Sequence, residues 1–516
     1  MHEAGSTPAG APLGPDAVVA NDAESQRHAL TSGVRWTAAA QALTAILNFG
    51  VVIVLAWVLV PADFGLLAMA AAIISIVTAL QTLGTHGPLI QRETVSPVLI
   101  NTVFLLNLVL GVLLMTGLIL AAPLLATLYR TPEVEPLIQV IALSLVLYAF
   151  SGVPGALLYR RMQFGAVAAT DTLGAILYAI VAVALAWAGY GVWSLVIAML
   201  AAATAEAIFL MWAARFRPRL RFSWQELRGI ARYSANMTGV NLVHLLLRNA
   251  DSLIIGRWLG AGSLGLFGMA TRFTRQPVEM FVSSVLEPVL FPAYSRMQQD
   301  DALTAKTMQR ALAGAAVVMF PILGGMAAIA RPFVDGVLGP EWSPVIVLIL
   351  LMVPIGMVRT LLATVISVFL ARDRTGLLFA LRLGGGCALV TAYLVGVQTG
   401  LVAVVIALLV AEVLIGAVEL AICARLVRIR IFTLLAGGLG PLAATLIMAG
   451  MVFAFERFLA AQGWGDTLIV AAAVPVGVLV YTALVIGLRL RAAHDLVELL
   501  PAPLSRRIGP LLPRRA

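Results

Sequence analysis

Polar and charged side chains recur at helical spacing in two otherwise apolar stretches near the middle of the sequence. The first stretch carries polar residues spaced by 3, 4 and 3 positions: Asn241, His244, Arg248 and Asp251. The second carries polar residues spaced by 3, 4, 4 and 4 positions: Arg272, Arg275, Glu279, Ser283 and Glu287. Residues three or four apart share one face of an α-helix, so each set predicts a single polar stripe.

Arginine stripes of this kind suit a phosphate or pyrophosphate ligand. The planar guanidinium donates two parallel hydrogen bonds and stays charged in a low dielectric. We therefore predict a substrate cavity lined by the cationic and neutral polar members, with Arg359, an apolar-flanked charge, as a further member: Asn241, His244, Arg248, Arg272, Arg275 and Arg359. The predicted groups for a coupling cation or proton are the carboxylates of Asp251, Glu279 and Glu287.

A simpler interpretation is that these charges neutralise one another. Arg248 with Asp251 is an i, i+3 pair, and Arg275 with Glu279 is an i, i+4 pair; such pairs can form on one helix without any ligand. The number of charges favours a cavity, but the sequence leaves both interpretations open.

The elements that carry these stripes are membrane-spanning helices. Of the 516 residues, 61% are hydrophobic and only 11% are charged, and the mean hydropathy is +1.00. A span needs about 20 mostly apolar residues, and a charge inside one costs roughly 2.5 to 3.5 kcal/mol, which is why such charges mark functional sites. Apolar stretches predict fourteen spans: 34–60, 64–84, 99–122, 137–158, 166–188, 192–213, 232–256, 264–292, 311–330, 344–370, 377–397, 401–424, 434–455 and 467–488.

The placement of basic residues predicts the orientation. If the N-terminus is cytoplasmic, 26 of the 34 Lys and Arg residues fall in cytoplasmic segments, as the positive-inside rule requires. We therefore predict a multi-pass membrane protein with both termini in the cytoplasm. The net charge of +9 is explained by topology and contact with anionic lipids, and nucleic acid is not expected as a partner.

An internal repeat divides the chain. Val58–Ala70 aligns with Trp258–Ala270, and PEVEP at Pro132 aligns with PEWSP at Pro340. A repeat of six spans gives two lobes of the same orientation, an arrangement typical of transporters. The predicted segments are a disordered cytoplasmic tail (1–30), a first lobe (31–214), a cytoplasmic linker (215–229), a second lobe (230–431), two extra spans (432–490) and a basic cytoplasmic tail (491–516).

The numbers and spacing of Lys, His and Cys exclude several classes of protein. A phosphate-binding loop needs a lysine after glycines, and the single lysine, Lys306, lacks them. The five histidines form no metal-binding spacing, and Cys387 and Cys423 lie in apolar runs, so no metal, disulfide or cofactor is expected. No predicted external loop exceeds roughly 16 residues, which leaves little room for catalytic groups, and we predict no enzymatic activity.

Diffuse but ordered motifs carry a family resemblance over roughly residues 33 to 430. They include VPADFGLLAMA from Val60, GVPGALLYRRMQF from Gly152, LEPVLFPAYSRMQQD from Leu286 and LGPEWSPV from Leu338; the stretch from Phe222 to Asp300 is the most specific. The chain resembles Wzx-type oligosaccharide flippases, the polysaccharide-transporter branch of the multidrug/oligosaccharidyl-lipid/polysaccharide (MOP) exporter superfamily. It departs from the family pattern at Trp57, where an Arg is expected, and at Phe267, where a Tyr is expected.

The resemblance implies an all-α membrane fold with two MATE-like six-helix lobes and two extra C-terminal helices. It implies a location in the bacterial inner membrane. It also implies that the protein moves an undecaprenyl-pyrophosphate-linked oligosaccharide from the cytoplasmic to the external leaflet by alternating access, driven by a proton or sodium gradient. Membrane lipids and polysaccharide polymerase or assembly proteins are the further partners it implies. Three alternatives stay open: a multidrug or metabolite cation antiporter of the same superfamily, a membrane glycan ligase or polymerase, and a non-transporting assembly scaffold.

Overall fold

The computed structural model describes residues 40–488 except residue 42, and all regular secondary structure in this range is helical. The two predicted tails, 1–30 and 491–516, lie outside the described residues. The first lobe contains α1 (Leu43–Ala56), α2 (Pro61–Thr82), α3 (His86–Gln91), α4 (Pro97–Tyr129), α5 (Val134–Ile141), α6 (Leu143–Arg160), α7 (Phe164–Trp187) and α8 (Val192–Ala213).

The second lobe and the two extra spans follow. The second lobe contains α9 (Trp224–Arg248), α10 (Ala250–Thr274), α11 (Gln276–Phe281), α12 (Glu287–Arg296), α13 (Asp301–Ala328), α14 (Ala330–Phe333), α15 (Val345–Leu362), α16 (Val365–Ala371), α17 (Thr375–Gly396) and α18 (Leu401–Leu426). A π-helical turn, Val282–Leu286, joins α11 to α12. The extra spans are α19 (Ile431–Ala461) and α20 (Asp466–Gly487).

The number of membrane crossings agrees with the fourteen predicted spans. Twelve helical runs in the described part of the chain are long and apolar enough to cross a bilayer, and one of them is the 51-residue run Trp224–Thr274. A straight helix of that length would measure about 77 Å, far more than the roughly 30 Å of a hydrocarbon core. The run turns at Gly260, whose φ of 79° interrupts the helix, so it contains two crossings. The shorter apolar helix α1 supplies the remaining one.

The two ends of the helical bundle differ in charge. Connections near residues 83–96, 161–163, 214–223, 297–300, 372–374 and 427–430 lie at one end, which we call the basic end because most arginines are there. The other connections, including the turn at Gly260 and the segment 329–344, lie at what we call the opposite end.

The two lobes meet at the opposite end in a contact that follows the internal repeat. A Cβ atom added at Gly65 on α2 would overlap the carbonyl oxygen of Ala261 on α10, and a Cβ added at Gly265 would overlap the carbonyl oxygen of Pro61. In the repeat, Gly65 is equivalent to Gly265 and Pro61 to Ala261, and each equivalent pair is 200 residues apart. Exchanging the two lobes therefore turns the first contact into the second. Only glycine permits this approach of the two backbones. The contact therefore lies on the pseudo-twofold axis that relates the lobes.

Tryptophan side chains reinforce the same junction. Trp342, which is fully buried, donates a hydrogen bond from its indole Nε1 to the carbonyl of Ala56 at 3.0 Å and packs edge-on against Phe64. Trp57 donates to the carbonyl of Val337. Trp57 is one of the departures from the family pattern, and it joins the end of α1 to the second lobe. The opposite end is thus closed by both lobes.

At the basic end, the chain between the lobes is held on the first lobe. The backbone N–H of Arg219 donates to Asn101 Oδ1 at 2.6 Å, and that of Ser223 donates to the Thr102 hydroxyl at 3.0 Å. Ser223 also caps α9, which therefore begins inside the predicted linker 215–229, at Trp224. The first turns of α9 then pack on the first lobe through Ile230, which is buried among Leu89 and its neighbours.

Candidate functional site

A cavity of about 1070 Å³ lies between the two lobes. Its first-lobe wall comes from α1, the end of α6 and the start of α7; its second-lobe wall comes from α9 to α12 and from α15, α17 and α18. Towards the opposite end, the lining stops near Phe49 and Phe273, whose rings meet edge to face across the lobes at 5.4 Å. Beyond them is the glycine contact of α2 with α10. The cavity is therefore closed at the opposite end.

Most of the residues predicted for the site from the sequence line this cavity. Seven of the nine are in its wall: His244, Arg248, Arg272, Arg275, Glu279, Glu287 and Arg359. Asn241 and Asp251 are not among the lining residues. The helix ends at Arg248, and Asn249 has φ −98° and ψ 9°, so Asp251 does not continue the face of α9. The single stripe predicted from Asn241 to Asp251 is therefore interrupted at Asn249.

Four charged side chains form a continuous network on the second-lobe wall. Arg275 Nε lies 2.7 Å from Glu279 Oε1, and Arg359 Nη1 lies 3.0 Å from the same oxygen. Arg359 also contacts Glu412, with Nε 3.0 Å from Oε1 and Nη2 in contact with the same atom. The network joins α11, α15 and α18, with Arg275 at the junction of α10 and α11. The i, i+4 pairing of Arg275 with Glu279 is thus present, but as part of a larger arrangement.

A second acidic residue of α18 lies further along the same wall. Glu419 is seven residues, about two helical turns, beyond Glu412, and its side chain is buried. Arg382 Nη1 approaches Glu419 Oε1 at 3.7 Å, while Glu419 Oε2 has no hydrogen-bond partner. Both residues line the cavity. An unpartnered buried carboxylate oxygen can accept a hydrogen bond or a proton from a ligand or water.

Arg248 and Arg272 are in a different situation. Both side chains are exposed to the cavity, and within residues 40–488 neither forms a salt bridge with a carboxylate. The predicted pair of Arg248 with Asp251 is therefore absent; instead, Asp251 accepts hydrogen bonds from the backbone and hydroxyl of Ser252. The guanidinium groups of Arg248 and Arg272 are available for an anionic ligand.

The first-lobe wall carries far less charge. Its polar members are neutral amides and hydroxyls, and Asp171 is its only charged side chain among the described lining residues. The polar and aromatic lining residues of this wall are Gln41, Thr44, Asn48, Phe49, Tyr159 and Phe164. The two walls thus offer a ligand different chemistry.

Sequence analysis missed Arg382, Glu412 and Glu419 as site residues. Glu412 has the pattern of a helix-packing residue when α18 is considered alone, and its partner Arg359 is 53 residues away. The seven-residue spacing of Glu412 and Glu419 places both on one face of a very apolar helix. That spacing was the one signal in the sequence that pointed to the site.

Within the described residues there is no cluster of three or more His, Cys, Asp or Glu side chains that could hold a metal ion. Guanidinium groups on one wall and neutral hydrogen-bonding groups on the other suit an anionic ligand that also carries many hydroxyls.

Comparison with known proteins agrees with the fold and with the resemblance. The family model described as "Polysaccharide biosynthesis protein" matches residues 54–347. The succinoglycan biosynthesis transport protein ExoT of Rhizobium meliloti (strain 1021) is 28% identical over 314 residues, which are 61% of this chain and 63% of ExoT. The lipopolysaccharide biosynthesis protein WzxC of Escherichia coli (strain K12) is 24% identical over 393 residues, which are 76% of this chain and 80% of WzxC. The match to ExoT thus spans less than two thirds of that relative's length.

Two solved structures share the fold. The lipid II flippase MurJ, in an inward closed conformation, superposes with a TM-score of 0.68 and 15% identity over 87% of this chain and 97% of MurJ. An inward-facing MATE family multidrug transporter of the MOP superfamily superposes with a TM-score of 0.56 and 15% identity over 75% of this chain and 94% of that structure. Because the family model covers more than half of the chain and the fold agrees with it, this protein belongs to the family of polysaccharide biosynthesis proteins, a multi-pass membrane family with the MOP transporter fold.

Proposed function

We propose that the protein is a flippase that moves an undecaprenyl-pyrophosphate-linked oligosaccharide from the cytoplasmic to the external leaflet of the bacterial inner membrane. One observation carries this proposal: a cavity between the lobes, closed at the opposite end, presents two guanidinium groups, those of Arg248 and Arg272, that have no carboxylate partner in the part of the chain that the structure describes. A pyrophosphate has the charge and the oxygen geometry that arginine binds best.

The network around Arg359 supports assigning the pyrophosphate to Arg248 and Arg272. Arg275 and Arg359 already contact Glu279 and Glu412, so an anion would have to compete with those carboxylates. Among the described residues, no carboxylate forms a salt bridge with Arg248 or Arg272 that an anion would have to displace. They lie on different helices, α9 and α10, which lets them approach one ligand from two directions.

Alternating access would follow from the two-lobe architecture. The glycine contact of α2 with α10 closes the opposite end, and the positive-inside rule places the basic end in the cytoplasm. The cavity would then be closed to the external side in this conformation. Ligand binding shifts the equilibrium towards whichever orientation of the lobes it binds more tightly, and opening of the opposite end would release the oligosaccharide.

Coupling to a proton or sodium gradient would use carboxylates near the cavity. Asp251, Glu279 and Glu287 are the candidates from the sequence. Glu279 is held by two arginines, whereas Glu287 lines the cavity and has no salt bridge within the described part of the chain. Of these three candidates, Glu287 is therefore the one that lines the cavity without an arginine partner among the described residues, and Glu279 would be released only when its arginines move.

The proposal is tested by translocation of a fluorescent undecaprenyl-pyrophosphate oligosaccharide in proteoliposomes under a proton or sodium gradient. The wild type is expected to move the lipid, and Arg248→Gln and Arg272→Gln to reduce initial rates by at least about tenfold, since a charge-assisted hydrogen bond contributes about 1.5 to 3 kcal/mol. Arg457→Gln is the matched control, because Arg457 is exposed near the end of α19, outside the cavity.

The outcomes separate the alternatives. If the wild type does not translocate the lipid but exports cationic dyes, the antiporter hypothesis replaces the flippase. If wild type and both cavity variants translocate equally fast, the pyrophosphate assignment is wrong. Formation of new glycosidic bonds by the purified protein would instead support a ligase or polymerase.

A further inference from the structure

The first-lobe wall of the cavity carries a row of neutral polar side chains on one helix face. Gln41, just before α1, and Thr44 and Asn48 within it are spaced by three and four residues, so they project in one direction. All three line the cavity. A row of this kind provides hydrogen-bond donors and acceptors without charge.

Two of these side chains have unused hydrogen-bonding capacity. The Thr44 hydroxyl lies 3.4 Å from the Thr172 hydroxyl of α7, which gives it a structural partner. Gln41 and Asn48 are exposed to the cavity and make no side-chain hydrogen bond within residues 40–488. Their amides are therefore not needed to hold α1 against its neighbours.

Aromatic rings lie beside this row. Tyr159, near the end of α6, and Phe164, at the start of α7, meet edge to face with ring centroids 6.1 Å apart, and both line the cavity. Tyr159, in the first-lobe wall of the cavity, is 44% exposed. Aromatic faces beside a few convergent polar groups are the usual composition of a site for an organic ligand.

We propose that this surface, defined by Gln41, Thr44, Asn48, Tyr159 and Phe164, is the subsite for the sugar part of the substrate, and that it binds uncharged pyranose units. A pyranose carries hydroxyl groups around its edge, which match the amides and the hydroxyl, and C–H groups on its faces, which match the aromatic rings. The inference rests on the proposed function and assigns a different part of the substrate to each lobe. The second lobe binds the pyrophosphate, and the first lobe binds the sugar.

Charge explains the restriction to uncharged sugars. The only charged side chain on this wall among the described lining residues is the carboxylate of Asp171, which would repel a uronic acid. The arginines lie on the other wall. A neutral sugar on the first lobe and a pyrophosphate on the second would therefore each meet the side chains that suit them.

The subsite is tested by measuring equilibrium binding to the full chain in nanodiscs with two probes. One is undecaprenyl pyrophosphate carrying a neutral oligosaccharide; the other is undecaprenyl pyrophosphate without sugar. The wild type is expected to bind both, the first more tightly. Gln41→Ala with Asn48→Ala should weaken binding of the sugar-bearing probe by about 30-fold, since two hydrogen bonds of about 1 kcal/mol each are lost and about 1.4 kcal/mol corresponds to a factor of ten. Binding of the sugar-free probe should be unchanged.

Controls distinguish this inference from the proposed function. Arg272→Gln should weaken both probes, and Gln398→Ala, an exposed amide at the opposite end, should weaken neither. If the double variant weakens both probes equally, or neither, the subsite is wrong while the flippase proposal stands. If the wild type binds neither probe, the flippase proposal fails and the subsite fails with it.

A third probe addresses charge. An oligosaccharide with a uronic acid in place of a neutral pyranose should bind more weakly than the neutral one, and Asp171→Asn should reduce that difference. Equal affinity of the wild type for the acidic and neutral oligosaccharides would overturn the assignment to uncharged sugars.

Discussion

The guanidinium of Arg359 is held by the carboxylate of Glu412, which is on a helix 53 residues further along the chain. Arg359 is 23% exposed and Glu412 only 7%, so the pair is largely removed from solvent although it borders a cavity. Glu279 completes the arrangement from α11. Three helices of the second lobe are thereby joined at one side chain.

Replacing one partner of this pair should destabilise the protein more than replacing both partners. Glu412→Leu leaves Arg359 in contact with Glu279 alone. Arg359→Met leaves the buried carboxylate of Glu412 without a partner and is expected to be the more harmful, destabilising the protein by about 3 kcal/mol. The double variant should recover much of this loss, since no unpaired charge remains. The measurement is thermal unfolding of the four proteins in detergent.

Glu279→Gln serves as the comparison for this cycle. The Glu279 side chain is 46% exposed, and water can replace its contact, so its loss should cost clearly less than the loss of Glu412. Additive effects of Arg359→Met and Glu412→Leu would show that the two side chains do not stabilise each other.

Adding a methyl group at the interlobe glycines should force the opposite end apart. Gly65→Ala and Gly265→Ala each place a Cβ against a backbone carbonyl of the other lobe, where overpacking typically costs 1 to 3 kcal/mol. We expect spin labels at Tyr190→Cys and Gln398→Cys, in a background without Cys387 and Cys423, to move to longer distances. Gly262→Ala is the matched control, because a Cβ there meets nothing within 4 Å. An unchanged distance distribution in Gly65→Ala would mean that the contact does not hold the lobes together.

Acid should destabilise the first lobe through His86. This histidine is in the short helix α3, outside the spans, and burial lowers its pKa from 6.5 to about 4. The folded state therefore binds fewer protons than the unfolded state, and the stability that is present above pH 6.5 is lost as the pH falls towards 4. The loss attributable to this group amounts to roughly 3 kcal/mol.

Thermal unfolding between pH 7.5 and 4.5 measures this effect. His86→Gln keeps a polar side chain near Asn107, whose Nδ2 lies 3.4 Å from His86 Nε2, but does not titrate. Its unfolding temperature should fall less steeply with acid than that of the wild type. Parallel curves for the two proteins would show that His86 is not the responsible group.

Asp301 should stabilise the basic end of the second lobe by joining three connections. Its carboxylate contacts Arg372 Nη1 at 2.6 Å and Arg428 Nε at 3.4 Å. Asp301→Asn is expected to lower stability by about 1 kcal/mol, because these pairs are only partly buried. Arg428→Gln should have a smaller effect, since Arg428 is 84% exposed; an equal or larger effect in thermal unfolding would contradict this ranking.

The fold was more predictable than the site, and the reason is physical. Span length and arginine placement depend on the local sequence, so the bounds of α7 and α20 lie close to those predicted from hydropathy. The repeated segments that begin at Val58 and Trp258 contain the glycines at which α2 contacts α10. Side-chain partners depend on which helices become neighbours. Arg359 therefore had no visible partner in the sequence, and Glu412 resembled a packing residue.

The predicted stripes show the same limit. Helical spacing correctly grouped Arg272, Arg275 and Glu279 on the cavity wall. It failed across Asn249, because the spacing rule assumes an unbroken helix and the backbone departs from helical geometry there. Asn48 is, from the sequence alone, interpreted as a helix-packing residue and Gln41 is not singled out, because an uncharged amide in a span is common in helix packing.

The paired contacts of Gly65 with Ala261 and Gly265 with Pro61 have a consequence for the origin of the molecule. A surface that contacts its own repeat-related copy is isologous, the kind of interface that builds twofold homodimers. A single six-helix chain with this surface could pair with a second copy of itself in the same membrane orientation. Gene fusion of such a dimer would need no new interface, only a connection such as residues 214–223, after which each half was free to acquire its own wall of the cavity.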